Sequence, residues 1–209
     1  MKDYGQNNLA RFLKTIFTEQ KVAELFSRYY VGTSEVWPGS VVFWQVDTTG
    51  RVRTGKVMQY NADTGKRVKH PFNHITWVHK NEPAGARYKQ CLFGEHLLSS
   101  HPQAPVAVVE SEKTALIASV YFPQYVWLAC GGLGFLTHER CLSLKSRSVY
   151  LFPDLKAYEK WQHQAKALQE LASFQVSNIL EHVATTQQKQ DSLDLADFLI
   201  YCQVPNLKA

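Results

Sequence analysis

Residues 106–120, VAVVESEKTALIASV, decide the fold of this chain. Their first four residues, 106–109, are all apolar, which is typical of a strand that is buried on both faces, as in a parallel sheet. Glu110 follows that strand directly, and residues 112–120 have the composition of a helix. In open α/β sheets, ligands bind outside the carboxyl ends of the strands. Glu110 therefore either has a local role, as a cap of the next helix or a charge partner of Lys113, or belongs to a binding or catalytic site.

Residues 91–209 alternate between predicted strands and predicted helices, which indicates an α/β domain with a mostly parallel sheet of about four strands. A strand within YVWLACGG runs into Gly131 and Gly132, and a strand within SVYLFPD ends in Asp154. FQVSNILEHV is a weaker candidate for a fourth strand. Helices are predicted at 92–98, at 112–120 and at 138–144, and in the closing segment DSLDLADFLIY. A further long helix is predicted after Asp154, with one apolar face that consists of Tyr158, Trp161, Ala165, Leu168 and Ala172.

Residues 1–90 follow a different pattern, which indicates an α+β region. Two amphipathic helices are predicted first, and the second begins after Thr18 as its N-cap and ends at Gly32. Residues 40–80 then predict an antiparallel β-meander, with turns in DTTG and NADTGKR and a last short strand in HITWVH. The turn-forming segment NEPAGARYKQ, residues 81–90, is the predicted boundary between the two domains.

Positive charge is concentrated in the first domain. Residues 1–90 contain 14 Lys and Arg against 7 Asp and Glu, and residues 91–209 contain 9 against 11, although the formal net charge of the whole chain is only +5. This difference predicts that the first domain binds a polyanion. The basic residues of the meander that carry this prediction are Arg51, Arg53, Lys56, Lys66, Arg67 and Lys69.

Three aromatic residues, Trp44, Tyr60 and Trp77, are interleaved with those basic residues. Cations and flat rings on one sheet are typical of surfaces that bind single-stranded nucleic acid, because the cations contact phosphates and the rings stack on bases. Single-stranded DNA is therefore a predicted partner. A solvated sheet face with the aromatic rings packed beneath it explains the same pattern.

Several features narrow the class of protein. No apolar run approaches the roughly 20 residues that span a bilayer, and the first residues, MKDYGQNNLARF, lack the apolar core of a signal peptide. These features predict a cytoplasmic protein with no membrane partner. The cysteines, Cys91, Cys130, Cys141 and Cys202, lie far apart without a C-x-x-C pair, which argues against a zinc ribbon or a disulfide framework and predicts buried thiols. The spacing of His and Asp residues also gives no support for Cys130 as a nucleophile.

Carboxylates close two of the predicted strands. Glu110 and Asp154 are 44 residues apart in the sequence, but parallel strands bring their carboxyl ends to the same edge of a sheet. Mg²⁺ is commonly held through one or two carboxylates, while water and phosphate complete its coordination. A glycine turn at the same edge lets the backbone approach a phosphate closely. The pattern predicts a site for Mg²⁺ or Mn²⁺ at Glu110 and Asp154, with Gly131 and Gly132 beside the phosphate.

Several segments resemble the toprim domain that topoisomerases and bacterial-type primases share. VAVVESEKTA resembles its glutamate motif, with Ser111 where glycine is usual, and WLACGGLG resembles its glycine turn. VYLFPDLKAYEKW resembles its Asp-x-Asp motif, with Asp154 as the first acid, and DSLDLADFLI is similar to the closing segment of toprim-type primases. The resemblance includes VVFWQVDTTGRVRTGKVMQYNADTGKR in the first half, and it is strongest to divergent primase-related proteins of bacterial mobile elements.

This resemblance implies phosphoryl or nucleotidyl transfer on nucleic acid, in DNA replication or mobilisation. It implies that Glu110 acts as a general acid or base, and that Asp154 holds a metal ion that neutralises phosphate charge. It also implies that Lys113 or Lys156 shares in that neutralisation. The sequence departs from the motif because Lys156 replaces the second acid, and because the zinc ribbon of many primases is missing. A cation at position 156 is expected to weaken metal binding.

Other interpretations remain open at this stage. Lys156 favours a non-catalytic adaptor of a replication or mobilisation complex, and direct pairing of Lys156 with Asp154 would support that interpretation. A phosphohydrolase that acts on small nucleotides predicts a deep pocket in place of an open groove. Asp194 and Asp197 begin the closing helix, where they either complement the helix dipole or add to the metal site.

Overall fold

The computed structural model describes residues 6–80 and 88–201. The chain divides into two compact units, Met1–Gln90 and Cys91–Ala209. Most of the segment 81–90, the boundary predicted from the sequence, lies outside the described residues.

The first unit contains two helices and an antiparallel sheet. The helices are α1 (Asn8–Leu13) and α2 (Glu19–Arg28), and the strands are β1 (Val31–Ser34), β2 (Ser40–Val46), β3 (Val52–Met58) and β4 (Ile75–Trp77). The strands follow one another in the order β1-β2-β3-β4, so the predicted meander is confirmed. Strand β1 was not predicted, and it extends the meander by pairing with β2.

The structure confirms the predicted start of α2 but not its predicted end. The side chain of Thr18 accepts a hydrogen bond from the backbone N–H of Lys21, as expected for the predicted N-cap. The prediction that Gly32 ends this helix is wrong, because α2 already ends at Arg28 and Gly32 pairs with Val42 in the sheet. Tyr30, with φ of +51°, takes the left-handed conformation that a terminating glycine usually supplies.

The second unit is an α/β structure around a parallel sheet. Its strands are β5 (Val106–Val109), β6 (Val126–Ala129), β7 (Ser148–Leu151) and β8 (Ser173–Val176). They lie in the order β6-β5-β7-β8, and each neighbouring pair is parallel, as the sequence predicted. The helices are α3 (Leu97–Ser100), α4 (Glu112–Tyr121), α5 (His138–Cys141), α6 (Tyr158–Ala167), α7 (Ile179–Val183), α8 (Thr186–Asp191) and α9 (Leu195–Tyr201), and a 3-10 turn, Leu142–Leu144, follows α5.

One helix of this unit differs from the prediction. The sequence predicted a helix at 92–98, but the helical residues are only Leu97–Ser100. Phe93 instead forms an antiparallel bridge with Ala129 at the end of β6, with both backbone hydrogen bonds made. Phe93 is fully buried there, so contact with the sheet overrides the helical pattern of the short segment.

The core of the second unit lies on both faces of the sheet. All residues of β5 and β6 are buried, which agrees with strands covered on both sides. Trp161, Ala165, Leu168 and Ala172 are buried, which confirms most of the predicted apolar face of α6 and its continuation, whereas Tyr158 is only half-buried. Cys91, Cys130 and Cys141 are buried free thiols, as expected, and Cys202 lies outside the described residues. Within the described part of the chain, no helix is long and apolar enough to cross a membrane.

Candidate functional site

Two carboxylates follow neighbouring strands at the carboxyl edge of the parallel sheet. Strand β5 lies directly beside β7, and the backbone N–H of Phe152 donates to the carbonyl oxygen of Val108 at 2.9 Å. Glu110 is the first residue after β5, and Asp154 is the third after β7. Both residues are partly buried. The sheet therefore brings Glu110 and Asp154 to one edge, although they are far apart in the sequence.

The glycine turn after β6 is bound to the backbone of this edge. The N–H of Gly131 donates to the carbonyl oxygen of Glu110 at 2.9 Å, and the N–H of Cys130 donates to Val109 at 3.0 Å. Gly131 and Gly132 have φ of +87° and +153°, a conformation that residues with a Cβ rarely adopt. The turn therefore lies next to Glu110, and the Phe135 ring packs against Gly132, 3.2 Å from the position that a Cβ would take there.

The first turn of α4 places unusual charge inside the unit. Glu112 is 1% exposed and Lys113 is 9% exposed. Such burial is uncommon for charged residues unless they have partners. The sequence indicated a role for Lys113 but none for Glu112, because a Glu in the first turn of a helix is ordinarily an exposed group that complements the helix dipole.

Arg140 is a second residue that the sequence did not reveal. Its Nη1 donates to the carbonyl oxygen of Cys130 at 2.9 Å, and its guanidinium lies 4.5 Å from the centre of the Phe135 ring. Burial lowers the pKa of Arg140, while nearby acidic groups, including Glu112, oppose that change. A guanidinium is thus held beside the glycine turn. Only the tertiary structure places it there, since Arg140 belongs to a short helix with no motif of its own.

The structure gives no support for thiol chemistry at this edge. Burial raises the pKa of Cys130 to about 12, and nearby carboxylates, Glu110 among them, act in the same direction. Its Sγ donates to the carbonyl oxygen of Gly132 at 3.3 Å. Because the thiolate is the nucleophilic form, Cys130 is a packing residue under the glycine turn, consistent with the expectation from the sequence.

Lys156, which replaces the second acid of the motif, is directed towards another part of the unit. Its backbone N–H donates to Glu181 Oε1 at 2.9 Å. Its Nζ donates to the carbonyl oxygen of Gln190 at 3.4 Å and to Ser192 Oγ at 3.1 Å. The ammonium group therefore lies at the carboxyl end of α8, where a cation complements the helix dipole. Among the described residues its hydrogen bonds do not include Asp154, so the pairing expected of an adaptor is not found.

Asp194 and Asp197 form a reciprocal cap at the start of α9. The N–H of Asp197 donates to Asp194 Oδ1 at 2.9 Å, and the N–H of Asp194 donates to Asp197 Oδ2 at 3.1 Å. Thr114 Oγ1 in α4 donates to Asp194 Oδ2 at 2.8 Å. Both acids therefore lie at the amino end of α9, where negative charge complements the helix dipole, and Asp194 also fixes α9 against α4.

Asp194→Ala is expected to lower the free energy of unfolding of the second unit by about 1–3 kcal/mol, since it removes a cap and leaves Thr114 Oγ1 without its acceptor. Asp194→Asn, which keeps an acceptor oxygen, is the matched control, and its free energy of unfolding is expected to fall by less. Urea unfolding measures both. The affinity of both variants for Mn²⁺ is expected to equal that of the wild type. A loss of Mn²⁺ binding would instead indicate that Asp194 is a metal ligand.

The basic residues predicted for the first unit fall into two groups. Arg51 Nε and Arg53 Nη2 lie 3.3 and 2.6 Å from Asp47 Oδ2, so both cations are paired with one buried carboxylate. Lys56 is only 7% exposed, which corrects the expectation of a surface cation, because it lies in the central strand β3. The second group, on the surface of the segment after β3, consists of Lys66, Arg67 and Lys69.

The aromatic residues predicted beside these cations are also placed differently. Tyr60 is 1% exposed, and its hydroxyl lies 3.7 Å from Met58 Sδ, so it is a core residue. Trp44 and Trp77 are partly buried in the sheet. The expectation of exposed rings is thus wrong for Tyr60, because it packs against Phe43 inside the unit.

Among the described residues, the acids at this edge do not belong to a multi-ligand metal cluster. No group of three or more His, Cys, Asp or Glu residues there is arranged to hold a metal ion. A recess of about 230 Å³ lies between α6 and β8, and neither Glu110 nor Asp154 lines it. The carboxylate edge therefore offers two acidic ligands, which fits an ion that keeps most of its water.

Comparisons with known proteins give a family and several similar folds. The family model described as "Domain of unknown function (DUF6371)" matches residues 7–155. No curated protein matches the chain. Among solved structures, the primase fragment of the bacteriophage T7 primase-helicase protein is 17% identical with a TM-score of 0.47, and the match covers 74% of this chain and 60% of that chain.

Two further solved structures are similar at the same level. The RNA polymerase domain of Mycobacterium tuberculosis primase DnaG is 14% identical with a TM-score of 0.46, over 90% of this chain and 66% of that chain. The E. coli primase catalytic core is 16% identical with a TM-score of 0.45, over 92% of this chain and 71% of that chain. This chain thus spans less than two thirds of the bacteriophage and mycobacterial proteins.

Proposed function

This chain belongs to the family described as domain of unknown function DUF6371, and we propose that it is a toprim-like, primase-related protein that binds single-stranded DNA and performs metal-dependent phosphoryl or nucleotidyl transfer. One observation carries this proposal: Glu110 and Asp154 follow adjacent parallel strands, and the glycine turn is hydrogen-bonded to the backbone of Glu110. These are the residues on which the toprim resemblance rests.

The residues at this edge have complementary roles in the proposal. Glu110 accepts or donates the proton of the attacking or leaving oxygen. The backbone at Gly131 and Gly132 approaches the phosphate, because neither residue has a side chain of its own, and the Phe135 ring packs against Gly132. Arg140, held beside the turn by its bond to Cys130 and by the Phe135 ring, supplies positive charge to the phosphate, a role that the resemblance gave to Lys113 or Lys156.

The carboxylates at this edge fit Mg²⁺ or Mn²⁺ bound mainly through water. Glu110 and Asp154 are oxygen donors at neighbouring strand ends, and Mg²⁺ accepts one or two carboxylates together with water and phosphate. When bound, the ion would neutralise negative charge on the phosphate. Lys156 leaves the site with one acid fewer than the family motif, but its ammonium group is bound at the end of α8.

Asp154→Asn is expected to weaken Mn²⁺ binding by about tenfold or more, because it removes one of two charged ligands, and losing even a supporting residue has an effect of this size. Calorimetric titration of Mn²⁺, with and without a single-stranded DNA oligomer, measures the effect. Glu170→Gln is the matched control, since Glu170 is an exposed acid that precedes the amino end of β8. Equal affinities of the wild type and Asp154→Asn for Mn²⁺ would exclude Asp154 as a ligand.

A non-catalytic adaptor of a replication or mobilisation complex is the second candidate. It is favoured by Lys156, which replaces an acid of the motif and contributes to the packing of α8 instead of the sheet edge. The same titration separates the two functions. Saturable Mn²⁺ binding that depends on Asp154 supports catalysis, and the absence of Mn²⁺ binding in a protein that still binds DNA supports the adaptor.

A further inference from the structure

A cluster of stacked rings lies on the surface of the first unit and was not predicted from the sequence. The ring cluster consists of Trp37, Phe72 and His74. The rings of Phe72 and His74 are stacked, with centroids 4.2 Å apart and an interplanar angle of 18°. The ring of Trp37 meets His74 edge-on at 5.0 Å. Phe72 is 53% exposed, so a large part of the stack faces solvent.

Hydrogen bonds from side chains and from the backbone hold the ring cluster in place. Gln59 directly follows β3, and its Nε2 donates to the carbonyl oxygen of Pro38 at 2.8 Å. This bond connects the end of β3 to the residue that follows Trp37. The N–H of Gln59 also donates to the carbonyl oxygen of His74 at 3.1 Å. His74 Nδ1 lies 2.9 Å from the carbonyl oxygen of Phe72, which fixes the ring that Phe72 stacks on. The rings are therefore arranged before any ligand binds.

Three exposed cations occupy the segment that leads into the ring cluster. Lys66, Arg67 and Lys69 are exposed. Val68 lies between these cations, and both of its backbone polar groups are hydrogen-bonded. Its N–H donates to the carbonyl oxygen of Gln59 at 2.9 Å, and its carbonyl oxygen accepts from the N–H of His74 at 3.2 Å. Because the same backbone contacts hold the cations and the rings, positive charge lies next to an exposed aromatic face.

We propose that the ring cluster is a base-stacking platform for single-stranded nucleic acid. A base extends the existing stack by lying on the exposed ring of Phe72, while Lys66, Arg67 and Lys69 contact the phosphates. This combination of a cationic track and exposed rings is what sequence-tolerant binding of single strands requires. The local charge favours this polyanion over an apolar peptide. The inference deepens the proposed function and rests on it, since it specifies where the strand is held.

The test compares two oligomers of equal length and charge, one of thymidine nucleotides and one of abasic nucleotides. Fluorescence anisotropy measures the affinity of the wild type, Phe72→Leu, Phe72→Trp and a Lys66→Ala/Lys69→Ala variant for each oligomer. Phe72→Leu is expected to weaken binding of the thymidine oligomer by about tenfold and to leave the abasic oligomer unchanged, because only the base can stack. Phe72→Trp is expected to retain the wild-type affinity.

The lysine variant is expected to weaken binding of both oligomers alike and to reduce the salt dependence of binding, because phosphate contacts do not need a base. Ile75→Ala, at an exposed apolar position of β4, is the control for nonspecific loss of surface. Normal binding of the thymidine oligomer by Phe72→Leu would overturn the stacking platform and leave the proposed function standing. A wild-type protein that binds neither oligomer would overturn both.

Discussion

Asp47→Asn is expected to lower the free energy of unfolding of the first unit by about 2–4 kcal/mol. Asp47 is 5% exposed, and its carboxylate accepts hydrogen bonds from Thr49, from the backbone of Arg51 and from the Arg53 side chain. The neutral amide leaves two guanidinium groups without their anion, at the turn that joins β2 to β3. Urea unfolding measures the loss, and hydrogen exchange of residues 40–58 assigns it to this hairpin.

The effect of Asp47 depends on pH in a defined direction. Burial by itself would raise the pKa of Asp47, but the hydrogen bonds from Thr49, Arg51 and Arg53 outweigh it and hold the pKa far below its ordinary value. A group with a lowered pKa in the folded state stabilises the protein above its unfolded-state pKa of about 4, and this contribution is lost as the pH falls below that value.

The difference in stability between the wild type and Asp47→Asn is therefore expected to be complete at neutral pH and to shrink below about pH 4. Asp63→Asn, an exposed acid in the neighbouring turn, is the matched control and is expected to change stability by less than about 0.5 kcal/mol at any of these pH values. A constant difference between the wild type and Asp47→Asn across the acidic range would contradict the charged pairing.

Gly65→Ala is expected to destabilise the first unit by about 2–4 kcal/mol, for two reasons that add. Gly65 has φ of +63°, which disfavours any residue with a Cβ. A Cβ at this position would overlap the ring of Phe12. Phe12 is 3% exposed, so its ring has no free space into which it can move. Thermal or urea unfolding measures the effect.

Gly50→Ala is the matched control for Gly65→Ala. Gly50 has φ of +82°, a comparable backbone strain, but no atom lies within 4 Å of the Cβ that alanine would add. The difference between the two variants therefore reports the contact with Phe12. In a double-mutant cycle, Phe12→Leu is expected to reduce the further loss caused by Gly65→Ala, because the smaller side chain leaves space. Equal losses in Gly50→Ala and Gly65→Ala would show that only the backbone conformation matters.

If these two variants behave as expected, the hairpin and the turn after β3 form a rigid support for the surface residues of the first unit. Asp47 pairs with Arg51 and Arg53 at one turn, and Gly65 in the next turn packs against Phe12 of α1. The cations that stabilise the fold, which pair with Asp47, are then distinct from Lys66, Arg67 and Lys69. Substitution of the two groups should separate stability from DNA affinity.

The sequence by itself determined the parallel sheet of the second unit and the two strands that Glu110 and Asp154 follow, but not β1 or the short helices α7 and α8 after β8. The apolar run 106–109, the glycine pair after β6 and the run before Asp154 predicted parallel strands, because strands buried on both faces are recognisable from local composition. Thr18 as an N-cap and the position of Asp194 at the start of the closing helix were also predictable, since a helix terminus involves residues only a few positions apart.

Only the tertiary structure decided what the individual charged and aromatic side chains do. Arg51 and Arg53 bind Asp47, Arg140 lies beside the glycine turn, and Lys156 is bound at the end of α8. The ring cluster likewise joins Trp37 to residues more than thirty positions later in the sequence. Periodicity and capping act over a few residues, whereas burial and partner choice depend on contacts between distant segments, so they are settled only when the chain is packed.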